Sequence, residues 1–133
     1  MHKIFITAIL LLLVSSMSWA QKATKEAIQK GKAVFEQNCL VCHQVDGSGV
    51  PHLNPPLIKT SFVLGDKKKL IGIVLKGLSD VEIDGESYSN PMPSMNFLSD
   101  EDIANVLTYV RNSFTNKGSA VTAAEVKAAR SRT

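Results

Sequence analysis

The chain has 133 residues, of which 44% are hydrophobic and 20% charged, so it carries one domain's worth of sequence and has no room within it for a separate catalytic domain. Its formal net charge of +3 is far from the strong basic excess that a nucleic-acid partner demands.

The apolar residues are unevenly spread. Residues 4–14 are interrupted only by Thr7, follow the basic start Met1-His2-Lys3, and lead into Ser18-Trp19-Ala20. Basic start, apolar middle and small-residue exit predict a secretory signal peptide over residues 1–20, cut after Ala20. The run falls short of the roughly 20 apolar residues that span a bilayer, so no stable membrane insertion is expected after cleavage. Lys3 and Trp19, the sole tryptophan, leave with this leader. The remaining aromatics, Phe35, Phe62, Tyr88, Phe97, Tyr109 and Phe114, are few for the core of a small domain, and such domains recruit a disulfide, a metal or a bound group.

Residues 21–38 read as a helix, with Ala23, Ala27, Ile28, Val34 and Phe35 at three- and four-residue spacing. Gly31 in its middle costs helix stability and points to close backbone contact with another element. A Gly/Pro-rich stretch runs over residues 46–56. Helical patterning returns over residues 59–77, with Asp66 as an N-cap, an apolar stripe of Leu70, Ile71, Val74 and Leu75, and Gly77 as the stop. Alternation on both sides of Asp84-Gly85 predicts a short hairpin over residues 81–88. Pro91 and Pro93 hold Met92 in a non-helical loop. Ser99 with Asp100, Glu101 and Asp102 opens a last clear helix, whose apolar face is Ile103, Val106, Leu107 and Val110. Residues 119–133 form a tail in which residues 121–130 have short-helix character. The basic run Lys67-Lys68-Lys69 and the acidic run of Asp80, Glu82, Asp84 and Glu86 read as solvated faces, although together they would make a dipole able to orient docking.

The feature that carries chemistry is Cys39-Leu40-Val41-Cys42-His43. In an exported protein, Cys-x-x-Cys-His reads as attachment of c-type haem. Two thiols one turn apart reach the two vinyl groups of one porphyrin edge, and the adjoining imidazole reaches the iron. Three alternatives compete. A Cys39–Cys42 disulfide suits an oxidising compartment. A thioredoxin-like dithiol needs a strand–helix setting, whereas a helix precedes Cys39 here. Structural zinc asks for about four ligands, and beyond the leader the chain offers only two Cys and two His: Cys39, Cys42, His43 and His52. For the sixth position on iron, Met92 leads because its prolines hold it rigidly, Met95 is the alternative, and His52 is read as a surface-loop residue.

The chain resembles class I c-type cytochromes over residues 25–117. The likeness rests on the helix with Gly31 and Phe35, the Cys39–His43 motif, Pro55-Pro56-Leu57, Met92-Pro93 and the final helix with Leu107-Thr108-Tyr109-Val110. It implies that Gly31 and Phe35 pack across Val106 and Tyr109, and that the Pro55 carbonyl accepts the proximal imidazole's N–H, which strengthens the ligand. Residues 46–51, 84–88 and 98–110 are similar to the cytochrome domains of periplasmic quinoprotein dehydrogenases and to the haem domain fused to some copper nitrite reductases. The resemblance implies a mostly α class I cytochrome c fold over residues 21–118: four to five short helices around one covalently attached haem c, with a hairpin insertion. It implies no catalytic residue, Cys39 and Cys42 as thioether donors, His43 and Met92 (or Met95) as axial iron ligands, and a periplasmic carrier of single electrons between a dehydrogenase or respiratory complex and a terminal acceptor. The rival is a gas sensor or small haem enzyme whose sixth ligand dissociates.

Overall fold

Thr24 begins the fold. In a computed structural model of the chain, which describes residues 22–132, its hydroxyl accepts the Ala27 N–H at 3.1 Å and caps helix α1 (Lys25–Asn38). The leader expected over residues 1–20 lies outside the described residues. The chain continues through the short helix α2 (Leu40–His43), and Gln44, at φ 64°, turns it into a long loop. Residues 59–77 form two helices. Thr60 caps α3 (Ser61–Leu64), and Asp66 accepts the Lys69 N–H at 2.9 Å to cap α4 (Lys67–Lys76). A residue serving as a cap takes non-helical dihedrals, so Asp66 and the adjoining Gly65 divide the stretch. Gly77, at φ 84°, ends α4 as its position predicts.

The hairpin pairs β1 (Val81–Ile83) with β2 (Glu86–Tyr88) antiparallel, Val81 opposite Tyr88 and Ile83 opposite Glu86. Asp84 and Gly85 both have positive φ, the requirement of the tight turn that matches strand twist. Ile83 and Tyr88 share the buried face. Ser99 accepts the Asp102 N–H at 3.0 Å and starts α5 (Asp100–Asn112), with three acids in its first turn. The last helix, α6 (Ala123–Arg130), opens on a capping box: Thr122 and Glu125 each accept the other's backbone N–H. Six helices therefore stand among the described residues, against the four to five expected; α2 and α3 are single turns.

The core forms where α1 crosses α5, the most extensive helix contact. A Cβ on Gly31 would run into the Asn105 carbonyl and come within 2.7 Å of Tyr109 Cβ. Glycine is what lets the two backbones meet. Phe35, Tyr109 and Phe114 then close into an aromatic trio, with centroids 5.4, 5.6 and 5.7 Å apart. Gly72 in α4 is the contrast, because a Cβ there meets nothing within 4 Å. Gly31→Ala is expected to destabilise the holoprotein by about 2 kcal/mol or more, the overpacking cost exceeding the gain in helix propensity. Gly72→Ala should stabilise it by roughly 0.5–1 kcal/mol. Denaturant titrations of both variants check the opposite signs.

The C-terminal segment packs on this core. Val126 is fully buried, and Ala120 and Val121 are buried beside it. The Thr108 hydroxyl accepts the Val121 N–H at 2.9 Å and donates to the Val121 carbonyl at 3.2 Å. The Lys67 ammonium pairs with Glu125 and donates to the Ala120 carbonyl. The Lys69 ammonium sits 3.4 Å from the Phe62 ring centroid. The basic run is thus partly spent on internal contacts, as is Asp84, which accepts the Ser61 N–H at 2.9 Å.

Candidate functional site

An apolar cleft with a cavity of about 90 Å³ lies among α1, α4, α5 and the hairpin. Its walls include Phe35, Leu70, Val74, Ile83, Val106 and Leu107. A second lobe is walled by Val81, Tyr88, Asn54 and Asn90. Cys39, His43, Pro55, Met92 and Met95 line both lobes, and Cys42 lines the second. The structure therefore brings together every residue singled out from the sequence as thioether donor or axial ligand.

His43 is buried, and its Nδ1 lies 3.0 Å from the Pro55 carbonyl oxygen. A carbonyl only accepts, so Nδ1 carries the proton and donates, leaving the Nε2 lone pair free to bind a metal. Burial lowers the imidazole's pKa, with the Pro55 bond opposing, and so favours the neutral ring that a metal needs. The loop over residues 44–57 is built to deliver Pro55. The Gly49 N–H donates to the His43 carbonyl at 3.1 Å, and the Leu57 N–H donates to the Gly47 carbonyl at 2.8 Å. Gly49 has φ 66°, and a Cβ there would meet the Asn54 and Pro55 carbonyls. Only glycine allows this fold-back.

Cys39 and Cys42 are half-buried and form no disulfide with each other. They follow a helix rather than a strand, which is not the setting of a thioredoxin-like dithiol. Burial, with Cys42 adding to it, pushes the Cys39 thiol up to about 11, so at neutral pH it is protonated and a poor thiolate nucleophile. Among the described residues, no three His, Cys, Asp or Glu side chains converge as a metal ion would need.

The methionine loop is anchored strand-like to the end of α4. Met92 and Leu78 exchange backbone hydrogen bonds at 2.8 and 3.0 Å, and the Met95 N–H donates to the Val74 carbonyl at 2.8 Å. Gly77 has a further role here, since a Cβ would lie 2.6 Å from the Met92 carbonyl oxygen. His52 is exposed, pairs with Glu86 at 3.1 Å and does not line the cleft. This donor set fits a haem: an apolar slot, one imidazole with its second nitrogen already bonded, two thiols one turn apart, and thioether side chains in the same walls.

Sequence reasoning missed three supports of the site. The buried Asn116 amide accepts the Lys59 N–H at 2.7 Å and donates to the Leu57 and Val110 carbonyls, each at 2.8 Å, tying the Pro55 loop to α5. Buried Arg111 donates to the Val63 and Ser119 carbonyls at 2.6 and 2.9 Å. Arg130 reaches the methionine loop. No short-range pattern announces Asn116 or Arg111, since their partners are carbonyls of distant residues. The Thr122-x-x-Glu125 box was the available signal for α6.

The family model described as Cytochrome c matches residues 28–114. Cytochrome c-552 of Thermus thermophilus is 36% identical over 85 residues, which cover 60% of this chain and 64% of that protein. The gluconate 2-dehydrogenase cytochrome c subunit of Pantoea cypripedii is 33% identical over 106 residues, 77% of this chain and 24% of that subunit. The alcohol dehydrogenase (quinone) cytochrome c subunit of Gluconobacter oxydans (strain 621H) is 32% identical over 88 residues, 65% of this chain and 18% of that subunit. The matches thus cover less than two thirds of each of these relatives.

Proposed function

The chain belongs to the cytochrome c family, and from that premise we propose that it is an exported carrier of single electrons with one haem c. The observation that carries this reading is the shared cleft: Cys39, His43, Met92 and Met95 line one apolar slot, with Cys42 at its second lobe, and the His43 Nδ1 is already committed to Pro55. When bound, the haem supplies one-electron iron chemistry. Cys39 and Cys42 would hold it by thioethers. His43 would ligate through Nε2, with Pro55 fixing its tautomer and raising its basicity. Met92 would supply a second iron ligand, and a His/Met pair would raise the potential. The apolar walls would shield the group from water.

Residues 1–20 direct export to the periplasm, residues 21–118 carry the haem, and the C-terminal helix braces them. No described helix is long and apolar enough to cross a membrane. The partners are redox proteins, a dehydrogenase or cytochrome complex as donor and an oxidase or reductase as acceptor. The likeness to cytochrome subunits of two dehydrogenases supports a dehydrogenase donor. Val41, next to Cys42, and Phe97, two residues past Met95, are exposed apolar side chains suited to a brief docking contact.

Expression with a c-type maturation system tests the reading. Haem should stay with the polypeptide through acid–acetone extraction. Cys39→Ala and Cys42→Ala should each leave a single thioether or little holoprotein. Colourless, fully folded wild-type protein after such maturation would overturn the proposal.

A further inference from the structure

The family match ends at Phe114, so α6 lies beyond it. Yet α6 sends a side chain to the loop that carries both methionines. Arg130 Nη1 donates to the Asn96 carbonyl at 2.9 Å, Nη2 to the Leu98 carbonyl at 2.8 Å, and Nε to Asp100 Oδ1 at 2.8 Å. A guanidinium presents its donors in a rigid fork, which suits it to hold two carbonyls and a carboxylate together. From the other side, α4 grips the same stretch, where Met95 N–H donates to the Val74 carbonyl and Ser94 Oγ to the Leu75 carbonyl. The segment between Met92 and Ser99 is therefore pinned between α4 and α6. The fork has a fixed base, because Val126 is fully buried and the Lys67–Glu125 pair ties α6 to α4.

We propose that Arg130 is a positioning residue for the distal iron ligand: it holds the methionine loop so that the thioether stays seated opposite His43. A ligand on a restrained loop loses less freedom on binding than one on a loose loop, so releasing the fork favours the detached state. The inference rests on the haem reading above.

The test uses holoprotein, with Arg130→Gln set against Val126→Ala. The second variant loosens α6 on the core without touching the loop. Both should incorporate haem and melt at lower temperature. Losing hydrogen bonds from a charged donor should make methionine detachment about tenfold more favourable in Arg130→Gln, read as a downward shift of about one unit in the pH at which the sulfur-to-iron charge-transfer band disappears. Carbon monoxide should bind the reduced form correspondingly faster. Val126→Ala keeps the fork's three hydrogen bonds and only loosens its base, so it should shift the band's pH midpoint and the carbon monoxide rate by clearly less than Arg130→Gln does. If Arg130→Gln does not fold, Arg130→Lys serves in its place. It keeps a charge opposite Asp100 but cannot span both carbonyls, and it should shift the band in the same direction. An unshifted band in haem-replete Arg130 variants, or an equal shift in Val126→Ala, overturns the proposal. Failure of the haem reading shows separately, as wild-type protein without covalent haem or without the band, before any variant is made.

Discussion

Expressed without haem attachment, the chain should fail to fold. The cleft between α1, α4, α5 and the hairpin holds a cavity of about 90 Å³, with about 110 Å³ more in its second lobe, and is walled by the side chains that would otherwise form a continuous core. Left unfilled, the two together, about 200 Å³ at a cavity cost of about 24 cal/mol per Å³, would take roughly 5 kcal/mol. Whole domains are stable by only about 5–15 kcal/mol. The aromatics cannot make up the difference, since Phe35, Tyr109 and Phe114 are already engaged with one another at the crossing of α1 and α5. Haem ligation should therefore count as folding free energy, as it does in small metal-dependent domains. The expected apo-protein has weak helical circular dichroism, melts without a cooperative transition and exchanges its amides rapidly. Residual order is expected chiefly where α1 meets α5, because that contact needs no cofactor. A native-like spectrum with a cooperative melt would refute the argument.

The sequence made the local devices legible and left the long-range polar supports hidden. Asp66, Ser99 and Gly77 stood where their caps are, because capping depends on residues three or four apart. Asp84-Gly85 marked the hairpin turn for the same reason. Gly31 was readable as a close approach, and Gly31 with Phe35 was expected across the last helix on family likeness. Thr24 was passed over, so α1 begins later than the apolar spacing implied. The split at Gly65 was blurred because Leu64 and Leu70 flank it with similar hydrophobicity. Residues 121–130 looked like a tail because Ala, Lys and Arg dominate them. Their burial comes from Val126 meeting the core and from Thr108 bonding to Val121, contacts that no window of neighbouring residues contains. Asn116 and Arg111 are invisible to pattern reading for the same reason. At the site, Cys39, Cys42 and His43 announced themselves by spacing, whereas Pro55 entered through the resemblance, and its bond to His43 depends on a loop folded back at Gly49.

Met92→Ala should abolish the near-infrared sulfur-to-iron band, open the iron to carbon monoxide and lower the reduction potential, while Met95→Ala should keep the band and shift the potential only slightly. Both side chains line the cleft, so lining alone does not choose between them. Backbone restraint does. Met92 lies between Pro91 and Pro93 and exchanges two backbone hydrogen bonds with Leu78. Few conformations remain to be lost when its sulfur binds. Met95 begins a turn that Leu98 closes by donating its N–H to the Met95 carbonyl at 3.1 Å, and Ser99 caps α5 directly after it. Drawing Met95 onto the iron would pull on that turn and on the cap together, so its natural place is against the haem edge, where a flexible thioether fills irregular space. Carbon monoxide gives the sharpest readout, from no detectable binding in the wild type to stoichiometric binding in Met92→Ala. A band that survives Met92→Ala and vanishes in Met95→Ala would reverse the assignment. A wild type that binds carbon monoxide rapidly would instead favour a dissociable sixth ligand and the sensor-like rival.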